Sequence, residues 1–339
     1  MMNHSLKSQC KVNPGTVIFG KWHQQKYKIV RELGFGANGI VYLAEHNGTQ
    51  VALKMSDNGL SITSEVNVLK SFAKVQGSSL GPSLLDVDDW QSNQGKISFY
   101  VMEYIQGPNL LSFIAQKGRS WTVVLLLQLL NDLDLLHQNG WVFGDLKPEN
   151  LIVTGPPTRI RCIDVGGTTI QGRAIKEFTE FYDRGYWGLG SRKAEPRYDL
   201  FAVGMVMINT AYPSRFSKKT GGIVQLREAI RQKPELVPFE KMITRALEGG
   251  YHSAKQMRSE MLSFVTNQQV PAAPTGPTVS KQGNTNTNKQ QGNTIKPKNT
   301  QYPSRKTYKK KKKRNGWLET FFIIAIIICL YMLYIMFKI

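Results

Sequence analysis

Residues 143 to 150 read Phe-Gly-Asp-Leu-Lys-Pro-Glu-Asn, and fourteen residues beyond Asn150 an apolar run ends in Ile163-Asp164-Val165-Gly166. An acid, an amine two residues on, an amide five residues on and a second acid closing a strand form a set suited to phosphoryl transfer. In that chemistry the protein makes few bonds: it holds a hydroxyl in line with a phosphate and neutralises charge with Mg²⁺. On this reading Asp145 would accept the hydroxyl proton and Lys147 would lie against the γ-phosphate. Asn150 and Asp164 would hold the metal.

Upstream, Gly34-Phe-Gly36-Ala-Asn-Gly39 precedes Ile40-Val41-Tyr42-Leu43-Ala44, then Val51-Ala52-Leu53-Lys54. A G-x-G-x-x-G run alone is weak, because it also opens dinucleotide-binding folds. The residues after the glycines decide between the two. A dinucleotide fold needs a helix there, whereas Ile40 to Ala44 is β-branched and aromatic and runs to the turn pair Asn47-Gly48, which predicts a hairpin. Lys54 on the next strand can then reach the α- and β-phosphates, and Glu65, in the helical stretch Ser61 to Lys74, is its natural partner.

These motifs, in this order, resemble the Hanks-type serine/threonine protein kinases over about residues 25–265. The resemblance rests on Gly34/Gly36/Gly39, Lys54, Glu65, the Asp145–Asn150 loop, Asp164-Val-Gly166 and Asp199. It implies an α+β, bilobal protein-kinase-like fold with a small β-rich N-lobe and a helical C-lobe, and ATP and Mg²⁺ as cofactors. Asp145 and Lys147 would be catalytic, with Asn150 and Asp164 on the metal. The glycines with Val41, Lys54, Glu65 and the backbone of Glu103 and Ile105 would surround the nucleotide, with Met102 as gatekeeper. Lys147, two residues after the base, marks the family's Ser/Thr enzymes, so the acceptors would be Ser or Thr of protein substrates.

The motifs span one stretch of kinase-domain size, so the 339 residues divide into one catalytic domain and appendages. The expected boundaries are an N-terminal arm at 1–24, the kinase domain at 25–265 with its N-lobe ending near 105 and C-lobe at 106–265, a linker at 266–316 and a membrane helix at 317–338. N-lobe strands are expected at Tyr27–Gly34, Ile40–Glu45, Gln50–Met55 and Ser98–Glu103. Thr122 to Gln138 reads as a Leu-rich central helix of the C-lobe.

From 266 to 316 Pro, Thr, Asn, Gln, Gly and Lys dominate, too little apolar surface to offset the entropy of ordering the chain. This predicts a disordered tether. It holds twelve Lys and Arg between Lys281 and Arg314 and no acid, against a net charge of +20 for the whole chain. The next eighteen-residue stretch, Thr320 to Phe337, is free of charge and long enough to cross a hydrocarbon core as a helix. Lys309 to Arg314 precede it directly, so the positive-inside rule keeps the N-terminal side in the cytoplasm. The expectation is a kinase domain held at the cell membrane by a single C-terminal anchor, with no signal peptide. Cys10, Cys162 and Cys329 suit neither a disulfide nor zinc.

Three features depart from the family pattern. Gly144 stands where an Arg usually pairs with an activation-segment phosphate, so Thr168, Thr169 and Thr179 lack that docking partner. Phe143 and Val165 replace the usual His and Phe, and a larger residue beside a smaller one preserves core volume. No Ala-Pro-Glu precedes Asp199, and Tyr251-His-Ser-Ala254 lacks the Arg that would pair with it. An active kinase, a pseudokinase scaffold presenting its tail and a small-molecule phosphotransferase all remain, with Lys147-Pro-Glu-Asn150 arguing against the last. For the tether, inner-leaflet anionic lipid suits Lys309–Arg314, within about a Debye length of roughly 10 Å. The distant lysines, interleaved with Asn and Gln and followed by Tyr302 and Tyr308, better suit sequence-independent DNA binding through Lys281–Arg314. A plain spacer is the third reading. DNA would bring several chains side by side and favour self-association for trans-autophosphorylation.

Overall fold

Asn47 and Gly48 both have positive φ, 49° and 77°, as a type I′ turn requires. They join β3 (Gly39–His46) to β4 (Thr49–Ser56) in antiparallel register, Val41 opposite Lys54 and Tyr42 opposite Leu53. The computed structural model describes residues 10–268 apart from 37, 75–79, 94 and 220, and all of these fall in one compact unit. With β1 (Val17–Phe19), β2 (Lys26–Gly36), β5 (Leu84–Ser92) and β6 (Gly95–Glu103), the hairpin forms a six-stranded sheet of order β1-β2-β3-β4-β6-β5. All four expected strands are present. Helix α1 (Gly59–Lys74) packs against the sheet, its first turn capped by Asn58 Oδ1, which accepts from the N–H groups of Leu60 and Ser61 at 3.1 and 3.3 Å.

Residues 10–24, expected in an N-terminal arm, are instead part of the N-lobe. Ile18 pairs with Tyr27 in the sheet, and Cys10 lies buried in the core beside Tyr42, whose hydroxyl donates to the Cys10 carbonyl. Sequence reading also missed β5, because Asp86, Asp88 and Asp89 interrupt its apolar pattern. Asp88 is buried there and accepts the N–H groups of Trp22, His23 and Asp89, so the acid fastens the first strand's loop to the sheet.

The C-lobe opens with α2 (Leu110–Lys117), capped by Asn109, and is built on α3 (Ser120–Gln138). In α3 the Leu-rich run becomes a buried stripe of Leu125, Leu126, Leu129, Leu130, Leu133 and Leu136. Full burial of each contributes about 1.5–3 kcal/mol of transfer free energy. That outweighs a weak start, since Arg119 at the N-cap makes no side-chain cap. After a one-turn helix α4 (Arg184–Trp187), the buried α5 (Pro196–Ala211) and the last helix α8 (Ala254–Gln268) pack against α3. Helix α7 (Glu240–Leu247) lies between α5 and α6 (Gly222–Arg231), touching both. Helix α8 runs three residues past the expected domain end. Short ladders β8 (Leu151–Thr154) with β9 (Arg159–Cys162), and β7 (Trp141–Val142) with β10 (Thr169–Ile170), carry the loops between them. The remaining expected tether and the membrane helix at 317–338 lie outside the described residues. Among those described, no helix is long and apolar enough to cross a membrane.

Candidate active site

Lys54 and Tyr100 face each other across β4 and β6, so strand alternation points both side chains the same way. Both meet Glu65 of α1: Lys54 Nζ lies 2.6 Å and Tyr100 Oη 2.8 Å from Glu65 Oε2, with all three residues buried. The Lys54–Glu65 pair predicted from sequence is therefore formed. Tyr100 was missed, although its register opposite Lys54 could have revealed it. Burial first, then the Glu65 carboxylate, pushes its phenol well above the usual tyrosine range. Tyr100→Phe should cost about 1–2 kcal/mol of stability, seen as a melting temperature lower by a few degrees.

A cavity of about 380 Å³ runs from the glycine-rich loop to the second acid. Gly34, Gly36, Gly39, Val41, Lys54, Glu103, Ile105, Asn150 and Asp164 line it, with Met102 and Ile163. Gly39 is the position that admits no side chain, since a Cβ there would sit 2.1 Å from the Met55 carbonyl oxygen. At the hinge, Glu103 N–H is already given to the Ser83 carbonyl at 2.9 Å. The Glu103 carboxylate pairs with Arg161, whose hydrogen bonds, then the Ser83 N–H, hold it below the usual carboxylate range. A wider cleft of about 1540 Å³, edged by Trp22, Leu60 and Asp88, contains neither Lys54 nor the two acids at 145 and 164.

The catalytic loop hangs from one buried carboxylate. Asp199 accepts from Phe143 N at 2.7 Å, Gly144 N at 2.9 Å and His137 Nε2 at 2.8 Å, and is itself inaccessible to solvent. Below that anchor Asp145 pairs with Lys147, and Asn150 Nδ2 donates to the Asp145 carbonyl at 3.1 Å. That bond fixes the amide so that its oxygen is the atom left for a cation. Asp164 Oδ1 accepts from Gly166 N at 2.9 Å and remains exposed in the cavity wall. The hard oxygens of Asn150 and Asp164 are the donor chemistry that suits Mg²⁺.

The departures from the family pattern acquire physical reasons. Gly144 has φ +87°, and a Cβ there would come 2.5 Å from the Gly167 carbonyl oxygen, so this backbone rejects an arginine. Phe143 and Val165 are both buried in the core that joins the lobes. Two ion pairs fasten the end of the activation segment. Arg192 meets the fully buried Asp183, which also accepts from Tyr198 Oη and caps α4, while the buried Arg184 meets Glu195. The absence of an Ala-Pro-Glu pairing is thus compensated locally.

Thr168 and Thr169 are buried, so neither is open to a kinase in this conformation. Thr179 Oγ1 donates to Asp145 Oδ1 at 3.0 Å and accepts from Lys147 Nζ at 3.1 Å, a hydroxyl already held at the base.

A lysine held by a buried glutamate on the small lobe, sharing its cavity with an amide and a second acid, and an acid–amine pair bonded to that amide, make the constellation of a protein kinase. The chain belongs to the protein kinase family, whose domain model matches residues 27–272. It is 51% identical to the serine/threonine-protein kinase YabT of Bacillus subtilis (strain 168), over 99% of each chain, and is a serine/threonine protein kinase. It is also 24% identical to the serine/threonine-protein kinase ArnS of Sulfolobus acidocaldarius, over 56% of this chain and 38% of that protein. In fold it is similar to the kinase domain of Mycobacterium tuberculosis PknI, with a TM-score of 0.53, 19% identity and coverage of 75% of this chain and 99% of the other.

Proposed function

We propose that this kinase is catalytically active, transferring the γ-phosphate of ATP to Ser and Thr of cytoplasmic proteins near the membrane. The observation that carries the reading is the closed Lys54–Glu65 pair, 2.6 Å apart, over a cavity that Asn150 and Asp164 also line. A pseudokinase scaffold would have no need to keep every one of these groups. Protein kinases as a family use ATP and Mg²⁺. Here Asn150 and Asp164 would hold the metal, which supplies charge neutralisation for the phosphates. Lys54, oriented by Glu65, binds phosphate oxygens as a fixed positive charge. Asp145 accepts the proton of the acceptor hydroxyl, and Lys147, paired with Asp145, steadies the transferred group.

The finer part of the reading concerns the tail. Residues 317–338 anchor the chain with the kinase domain in the cytoplasm, and Lys309–Arg314 sit against inner-leaflet anionic lipid. Twelve basic residues without an acid between Lys281 and Arg314 support DNA as the ligand of the rest. A linear array of phosphates binds neighbouring tethers side by side, raising the local kinase concentration and so trans-autophosphorylation. Replacing these Lys and Arg with Gln in the full chain is expected to abolish both DNA binding and stimulation while basal autophosphorylation persists. In the parent, binding should weaken steeply with salt, and stimulation should peak and then decline with excess DNA. A substituted chain that still responds to DNA moves the site to the kinase domain. A parent that answers anionic vesicles and never DNA replaces the DNA reading with lipid.

A further inference from the structure

Three contacts close the nucleotide cleft from outside the motifs that sequence reading found, and all come from the activation segment between Lys176 and Thr179. Lys176 Nζ reaches Ser64 Oγ on α1 at 3.0 Å, one residue before Glu65. The Glu177 carboxylate accepts from Asn38 Nδ2 of the glycine-rich loop. Thr179 holds Asp145 and Lys147. Three residues of this four-residue segment therefore tie the helix, the glycine-rich loop and the catalytic loop together across the cleft.

The middle contact lies in the ligand space itself. Glu177 lines the same cavity as Lys54, Asn150 and Asp164. A Cβ built on Gly166 would be 3.2 Å from Asp164 Oδ1 and 3.6 and 3.7 Å from the two oxygens of Glu177, so both carboxylates border one point at the phosphate end. Burial, then Asp164, push the Glu177 carboxyl above its ordinary range; Glu65 and Asp145 add to that, and Lys54 opposes it. A third acid so close to the phosphate anchor repels a polyphosphate and shares the charge of Lys54.

We propose that Lys176–Thr179 is a strap across the cleft and that Glu177 competes with the nucleotide's phosphates for the end lined by Lys54 and Asp164. The strap is released as the triphosphate enters. Adenosine, which has no phosphates, does not meet Glu177. The inference rests on ATP being the nucleotide, and the test separates the two.

Binding of Mg-ATP and of adenosine is measured with the full chain as parent, Glu177→Gln and Lys176→Ala. Glu177→Gln is expected to tighten Mg-ATP about five- to tenfold, a typical coupling between two competing contacts, and to leave adenosine unchanged. Lys176→Ala, which frees the strap from α1 without touching the cavity, should shift Mg-ATP in the same direction by a smaller factor. Mg-ATP affinity unchanged or weakened in Glu177→Gln, with the parent binding normally, overturns the strap and makes Glu177 a bystander or a ligand. Adenosine bound by both chains, with Mg-ATP bound by neither the parent nor Glu177→Gln, overturns the nucleotide reading itself. Lys176 is exposed and Glu177 half-buried, and neither belongs to the hydrophobic core, so neither substitution removes core packing.

Discussion

Asp145→Asn is expected to retain no more than about one-thousandth of the parental phosphotransfer rate, within the span that loss of a general base usually costs. The substitution is nearly isosteric, but an amide does not accept the hydroxyl proton, and Lys147 loses its charged partner. Asp145 is buried in a loop whose position depends on Asp199, not on its own side chain, so folding should persist. Equal thermal melts with label transfer lost would support the assignment. Substantial transfer by Asp145→Asn in the same assay would remove Asp145 as the base.

Asp199→Ala is expected to have the largest effect on stability, a loss of about 3–5 kcal/mol. It takes the acceptor away from two buried backbone N–H groups, at Phe143 and Gly144, and from the Nε2 of buried His137. Each stranded donor alone costs about 1–3 kcal/mol. For a domain of this size that lowers the melting temperature by roughly ten degrees. Asp199→Asn, which keeps one acceptor oxygen, should fall between the two. A melt of Asp199→Ala within about two degrees of the parent would show that the loop is held by something else.

The parts of this kinase that show in its sequence are those where one residue type has one physical use. The hairpin is dictated by β-branched residues ending at Asn47-Gly48, and the Lys54–Glu65 pair by an amine on a strand and an acid on the next helix. The long Leu run could only be a buried helix. What escaped notice depends on distant partners. Strand β5 carries three acids whose reason is the loop at Trp22 and His23, more than sixty positions away. The pairing of Asp183 with Arg192 and Tyr198 looks from sequence like scattered charge, and becomes an anchor only when the segment folds back. Glu177 is equally mute until the glycine-rich loop is placed above it.

The most direct test of the central reading is incubation of the full chain with Mg-ATP labelled at the γ-phosphate, followed by phosphoamino-acid analysis, with Asp145→Asn in parallel. Label on Ser and Thr in the parent and none in Asp145→Asn is the expected result. A parent that carries no label, or carries it on Tyr alone, would contradict an active serine/threonine kinase built on Lys54, Asp145, Asn150 and Asp164.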